Sequence, residues 1–297
     1  MPGQSAREQI VEQLASNLSA VDYAADFASH RERLTALVRA RGSGDASLRL
    51  CVLGAGNSND LDLEQLAGVY REIHLVDIDR SALERARARQ SRLTQARISC
   101  HAPVDLSGLF DRIDNWKRMQ VTIEELSSAP HVASGQIVRA LPGPFDVVVS
   151  ACLLTQLQLA MLNVLTDRHQ LFQAVRLTLN LIHMRTLVRL LAPAGRGLLV
   201  TDLTSNATYS FDRTDPKSDL LPLVAELSAA GNVIFAAHPG QLAAVWRDDP
   251  FLSRESTLSE PLDAWLWHNG PERTFLVYAS EITRISSGGT GHATKNS

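Results

Sequence analysis

The sequence predicts an α/β fold with a doubly wound, mostly parallel sheet, and three observations carry that expectation. Short apolar runs alternate with helical patterns between residues 48 and 101, the arrangement of a βαβαβ unit. "FDVVVSACLL" and "RGLLVTDL" are unbroken apolar runs of the kind that lie in a sheet covered on both faces. "AWLWHNGPERTFLVYASEITR" holds two strand-like runs around Asn269, Gly270 and Pro271, a hairpin that would close the sheet with antiparallel strands.

In chain order, Ile10, Leu14, Leu18 and Val21, then Phe27, Leu34, Leu37 and Val38, recur at helical spacing and predict two or three helices before the first strand. "RGSGD" at Arg41 to Asp45 reads as a linker. The alternation then gives strand Leu48 to Leu53, helix Asp60 to Tyr70, strand Ile73 to Val76, helix Ser81 to Gln95 and strand Arg97 to His101. Further helices are expected at Leu106 to Trp116 and Ile123 to Ser128, a long amphipathic one at Leu171 to Leu191 stopped by "APAG", and one at Leu220 to Ala230. "VIFAAHPG" reads as a short strand. The organisation expected is an N-terminal helical cap over residues 1–44, a main domain over 45–285 and a polar, Gly/Ser-rich, disordered tail over 286–297.

Composition narrows the function. The 297 residues carry a formal net charge of −3, with 45% apolar and 21% charged residues, and no long Lys/Arg run. That argues for a globular protein and against nucleic acid as a main partner. Cys51, Cys100 and Cys152 each lie in or beside an apolar run without metal-ligand spacing, which suits reduced thiols and a cytoplasmic protein. Neither a signal peptide nor a membrane span is expected. The nine histidines form no HxH or HxxxH pattern, so no metal site is expected. Oligomeric state is not legible.

The chemistry-bearing stretch is "LCVLGAGNSNDLD". A strand that runs into Gly54-Ala55-Gly56 turns sharply and admits a ligand close to the backbone. The third glycine of a dinucleotide fingerprint is replaced by Asn59, and Asp60 and Asp62 occupy the expected helix start, where they would repel a pyrophosphate. A cationic ligand such as S-adenosylmethionine meets no such repulsion, so NAD is the disfavoured reading. Asp77 lies 23 residues after Gly54, at the end of the second strand, where an acid accepts from both ribose hydroxyls. Ile78 would flank the adenine. Asp105 is placed either to accept from an adenine amino group or to cap the helix that follows.

These stretches resemble class I S-adenosylmethionine-dependent methyltransferases over about two-thirds of the chain. "VLGAGNSND" looks like the family's motif I, "HLVDID" like motif II, "VDLSG" like the acidic position after the third strand, "FDVVVSACLL" like motif IV and "LLAPAGRGLLVTDL" like the fifth-strand motif. The resemblance implies a seven-stranded sheet. It also implies that Gly54, Ala55, Gly56 and Asn57 line the methionine part, Asp77 and Ile78 the ribose and adenine, Asp105 and Leu106 the adenine edge, and Ser150, Ala151 and Cys152 the space beneath the sulfonium. Motif I departs from the family at Asn57 to Asn59, where a glycine or an acid is usual.

Methyl transfer needs mainly alignment in a dry pocket, and a base only where the nucleophile starts protonated. The candidates are Asp202 at the end of the fifth strand, Tyr209 in the loop after it, Gln156 after motif IV and Tyr23 of the N-terminal helices. Asp202 has the positional argument, because strand ends face the crevice, with turn capping toward Thr204 as the alternative. Trp265 and Trp267 share a strand face, either as packing or as a cage for an ammonium group. The expected activity is methylation of a small-molecule oxygen or nitrogen acceptor. Transfer or cyclisation of the cofactor's aminocarboxypropyl arm, and a non-catalytic binding module, are the rivals.

Overall fold

The computed structural model describes residues 5–20, 25–42, 47–118, 121–165, 168–234, 237–270 and 272–285. The first helix, α1 (Ala6–Ser19), starts at a reciprocal cap: the Ser5 side chain accepts from the Glu8 N–H, and the Glu8 carboxylate accepts from the Ser5 N–H. α2 (Ala28–Arg41) follows and buries His30, Leu34, Thr35 and Val38. The nucleotide-side half then runs β1 (Arg49–Leu53), α3 (Leu63–Ala67), β2 (Glu72–Val76), α4 (Arg80–Ala88), α5 (Arg92–Gln95) and β3 (Ile98–His101).

Two helices of this half differ from expectation for local reasons. α3 starts at Leu63, not Asp60, because Asp62 is its N-cap and accepts from the Gln65 N–H. The helix expected through Ser81 to Gln95 is two helices, since Ser91 takes an extended backbone and caps α5.

The second half comprises α6 (Phe110–Arg118), α7 (Ile123–Arg139), β4 (Phe145–Ala151), α8 (Leu153–Leu165), α9 (Phe172–Leu190) and β5 (Leu191–Ser205). α7 overruns its expected end at Ser128 and continues through Pro130, burying Ala129, Ala133 and Ile137. α8 was not expected. Its mean composition is apolar nearly all round, so it carries no clear helical stripe, and it buries Leu153, Leu154, Leu157 and Met161. The chain ends with α10 (Leu221–Ala229), α11 (Pro239–Asp248), α12 (Pro250–Glu255), β6 (Ser256–Leu258), β7 (Asp263–His268) and β8 (Thr274–Arg284). Val233 and Ile234 form no strand; His238 instead caps α11, and residues 235–236 lie outside those described. The expected tail at 286–297 likewise lies outside them.

The strands form one sheet in the order β3-β2-β1-β4-β5-β8-β6, with β7 also paired to β8. The strands β3, β2, β1, β4 and β5 run parallel, and β8 runs antiparallel to β5. The expected hairpin is β7–β8, and the strand beyond the expected seven is the three-residue β6. Alternate residues of each strand feed two cores. Cys51, Leu53, Phe145, Val148, Leu199 and Leu203 pack under α6 to α12, whereas Leu50, Val52, Val147, Val149, Leu198 and Val200 pack under α2 to α4. Each fully buried leucine or valine contributes roughly 1.5–3 kcal/mol. The strand order reverses between β1 and β4, so the carboxyl ends of the strands there open into a crevice.

Candidate active site

The glycine turn follows β1 directly. Gly54 and Gly56 have φ of +68° and +45°, a region L side chains rarely adopt, and both Gly54 and Ala55 N–H groups donate to the Val76 carbonyl. A Cβ on Gly54 would stand 2.7 Å from the Leu153 side chain, so its missing side chain serves packing as well as the turn. Asp77 closes this turn. Its Oδ2 accepts from the Gly56 N–H at 2.8 Å and its Oδ1 from the Asp79 N–H at 2.9 Å. Burial pushes the carboxyl above the usual carboxylate range, while those backbone donors favour the charged form. Each oxygen keeps a second lone pair for a ligand hydroxyl.

Asp105 is similarly occupied. Its Oδ1 accepts from the Ser107 N–H and hydroxyl at 2.9 and 2.6 Å, and its Oδ2 from the Phe110 N–H at 3.0 Å, which caps the entry to α6. Burial raises its carboxyl as well. The capping alternative therefore holds, and Asp105 still borders the crevice.

A cavity of about 560 Å³ fills that crevice, within the roughly 300–1,000 Å³ of small-molecule sites. Toward β2 and β3 its wall is Asp77, Ile78, Val104, Asp105, Leu106 and Phe110. Toward β5, β7 and β8 it is Thr155, Asp202, Ile234, Trp267, Arg273 and Phe275. Gln9, Ile10, Gln13 and Ser16 of α1 border it as well. α1 is tied to the main sheet by Asn17, whose Nδ2 donates to Asp79 Oδ2 at 3.1 Å and whose carbonyl accepts from Asn57 Nδ2. Asn163 on α8 donates to Gln9 Oε1 at 3.2 Å.

Asp202 is the buried carboxyl of the far wall, 6% exposed. Its Oδ2 accepts from the Thr155 hydroxyl at 2.7 Å, and its Oδ1 has no hydrogen-bond partner among the described residues. Burial pushes this carboxyl up, opposed by the Cys152 thiol and the Thr155 hydroxyl. Trp267 Nε1 is also buried without a partner. Behind Trp267, His30 stacks on its ring at 4.7 Å and 26°. Trp265 Nε1 donates to His30 Nδ1 at 3.0 Å, so the imidazole proton sits on Nε2, which faces Asp60 Oδ1 at 3.4 Å.

Of the expected residues, Gly54, Asp77, Ile78, Asp105, Leu106, Gln156 and Asp202 line this cavity. The others do not. Asn57 is turned away between α1 and α4, where its Oδ1 accepts from Arg85 Nε at 3.2 Å, because the turn that begins at the positive-φ glycines swings residues 57–59 off the crevice. Gly56 lies beneath Asn17, and a Cβ there would stand 3.4 Å from Asn17 Oδ1. Ala55 packs in the core under α2 to α4. At the end of β4 the Ser150 hydroxyl meets His183 Nε2 at 2.8 Å toward α9 while Ala151 joins the opposite core, and Cys152, just past the strand with φ of +50°, joins that same core, so none of the three borders the cavity. Cys152 touches Asp202 from behind, and Leu153 is the first residue past β4 to border the cavity. Tyr209 stacks edge-on against Phe211 at 5.3 Å and packs into the core under α6 to α12. Tyr23 lies outside the described residues.

Sequence reasoning missed Thr155, Arg273 and the α1 residues. A buried threonine one helical turn into α8 and polar positions on α1 have no local signature. Trp267 was noted, with packing and an ammonium cage as its alternatives; the structure makes it both a core residue and a cavity wall. Among the described residues no group of His, Cys, Asp and Glu could hold a metal ion, and no helix is long and apolar enough to cross a membrane.

Five parallel strands in the order 3-2-1-4-5, an antiparallel strand beside the fifth and an acid after the second together decide the architecture. This is the class I methyltransferase fold. No protein-family model matches the sequence, and no curated protein does. Among solved structures, the chain is similar to an S-adenosylmethionine-dependent methyltransferase from Anabaena variabilis at 14% identity, covering 96% of this chain and 97% of that one, with a TM-score of 0.45. It is also similar to the YcgJ protein of Bacillus subtilis at 11% identity, covering 86% and 100%, with a TM-score of 0.45. A third is the magnesium protoporphyrin IX methyltransferase of Synechocystis with bound S-adenosylhomocysteine, at 11% identity, covering 90% and 86%, with a TM-score of 0.41. Identity is low throughout, and strand order and register define the fold.

Proposed function

We propose that the chain is an S-adenosylmethionine-dependent methyltransferase acting on a small-molecule oxygen or nitrogen acceptor. One observation carries the reading: a single cavity joins a carboxylate suited to ribose, Asp77, to a buried carboxyl on the opposite wall, Asp202. The residues present fit the cofactor. Asp77 has two lone pairs for the ribose hydroxyls, Ile78, Leu106 and Phe110 offer apolar walls to an adenine, and among the described residues no lysine or arginine borders that end to repel a cation.

When bound, the cofactor supplies a methyl group already activated by positive sulfur. The chain's task is alignment and exclusion of water, and α1 with its Asn17 and Gln9 anchors would act as the cap that excludes it. Asp202 accepts the acceptor's proton, with Thr155 holding the carboxylate in place through its Oδ2. Gln156 and Arg273 border the same cavity and would orient polar substituents of the acceptor. Cys51, Cys100 and Cys152 are all unpaired, which suits a reducing cytoplasm.

Calorimetry with S-adenosylmethionine and S-adenosylhomocysteine tests the cofactor. Product analysis tests the bond broken: methyl transfer yields S-adenosylhomocysteine, and transfer of the aminocarboxypropyl arm yields methylthioadenosine. Absence of heat and of a thermal shift with both ligands would leave only a binding-module role.

A further inference from the structure

Asp202 sits in an unusual electrostatic position for a carboxyl on a cavity wall. From α8 it receives the Thr155 hydroxyl, and from the β4–α8 junction it faces the Cys152 thiol, both neutral. From α2 it faces His30, whose Nδ1 accepts from Trp265 and whose Nε2 lies 3.4 Å from Asp60 Oδ1. From the loop before α3 it faces Asp60 itself, another acid. On β8 its register partner is Val277, and β7 contributes the Trp265 and Trp267 rings. The other charged residues on the cavity wall are Glu12, Asp77 and Asp105, and Arg273, which is exposed on the β7–β8 turn. Thus, among the described residues, no lysine or arginine pairs with Asp202, and its Oδ1 has no hydrogen-bond donor.

We infer that Asp202 holds its proton in the ligand-free protein and releases it to solvent when a ligand carrying a sulfonium occupies the cavity. The proton balance is simple: the carboxylic acid loses H⁺ to the buffer, and the carboxylate left behind is stabilised by the positive charge placed in the same low-dielectric cavity. The base thus exists only in the cofactor complex. A ligand of the same shape with a neutral thioether brings no charge and leaves the proton in place. This inference rests on the cofactor reading above. Its support is the burial, the unpartnered Oδ1 and the lack of a lysine or arginine partner among the described residues; the upward push of burial on this carboxyl agrees with it.

The test is proton-linked calorimetry on the full chain at about pH 5, just above the ordinary carboxylate range. The cofactor's ammonium stays charged there. Titrations with S-adenosylmethionine and with S-adenosylhomocysteine are run in acetate and in MES, whose ionisation heats differ. We expect release approaching one proton per protein with S-adenosylmethionine and none with S-adenosylhomocysteine, a comparison that needs no variant. D202N should still bind and lose the difference between the two ligands. Thr155→Val, which strips a donor from the same carboxyl, should move the release to higher pH. Equal proton counts for the two ligands, or a difference that survives D202N, overturn the inference while leaving the cofactor reading intact. Failure of both ligands to bind overturns the two together.

Discussion

The two ends of the cavity are built on opposite plans. Toward β2 and β3, Asp77 and Asp105 take their hydrogen bonds chiefly from backbone N–H groups a few residues away in sequence, with Gly56 the one more distant donor. Toward β5 and β7, Asp202 meets groups from three other segments, around His30, Asp60 and Cys152 with Thr155, and among the described residues four buried polar atoms there, His30 Nε2, Asp60 Oδ1, Asp202 Oδ1 and Trp267 Nε1, have no hydrogen-bond partner. The first end is finished before a ligand arrives. The second is held by long-range packing and keeps hydrogen-bonding capacity in reserve, which under the proposed function is where variation in acceptor can be accommodated.

Breaking the finished end should have the largest effect. Asp77→Ala removes both ribose acceptors and leaves two backbone N–H groups unpaired, and is expected to weaken S-adenosylhomocysteine binding about 100-fold, or about 3 kcal/mol, by calorimetry. Unchanged affinity would sink the assignment of that end to adenosine.

Acid should unsettle the other half of the sheet. His183 is buried against Ser150, and burial pushes its imidazole down to about 4 from an ordinary 6.5. A depressed base contributes stability that is present above pH 6.5 and lost as pH falls toward 4, a loss on the order of 3 kcal/mol. Asp77, Asp105 and Asp202 work in the other direction: carboxyls raised by burial contribute stability that is present at acid pH and lost as pH rises through their folded values. His183→Gln should therefore flatten the acid limb of a denaturation series between pH 6.5 and 4, and an unaltered limb would show that another group governs it.

Smaller effects follow from the turn and the cap. Gly54→Ala places a Cβ at positive φ and against Leu153, at an expected stability cost of about 2 kcal/mol in urea unfolding. Asn17→Ala frees α1 from Asp79 and should weaken cofactor binding by about 1 kcal/mol while speeding amide exchange in α1. Tyr209→Phe should leave turnover unchanged, since that ring packs on Phe211 away from the cavity; a loss of turnover would return Tyr209 to the site.

The same contrast explains what could be read from the sequence. β1, the glycine turn, Asp77 and the β7–β8 hairpin were legible because each is specified within a few residues by an apolar run and the turn chemistry that ends it. The place of Asn57 was not legible: it follows the glycines in sequence, but their positive φ values carry it to the back of the turn, beside Arg85. Ser150 and Ala151 sit at the right height on β4, yet the direction of each side chain is set by pairing with the neighbouring strands, and that of Cys152 by its positive φ just past the strand end. Away from the adenosine end the cavity lining was legible at Asp202, Gln156 and, as one of two readings, Trp267, whereas Thr155, Arg273 and the α1 residues reach it through tertiary packing alone.

β8 is sandwiched, with β5 on one side and β6 and β7 on the other, although it is the last described element in chain order. It receives α2 through the Arg41–Glu281 ion pair, while Arg33 of α2 grips Asp263 on β7. During synthesis, then, β5 waits with an open hydrogen-bonding edge, and the early helix α2 waits for its berth, until the closing hairpin emerges from the ribosome. A nascent chain of this design is exposed to edge-to-edge association from the completion of β5 until β8 is made, and a stop codon only a few dozen residues early would strand it in that state.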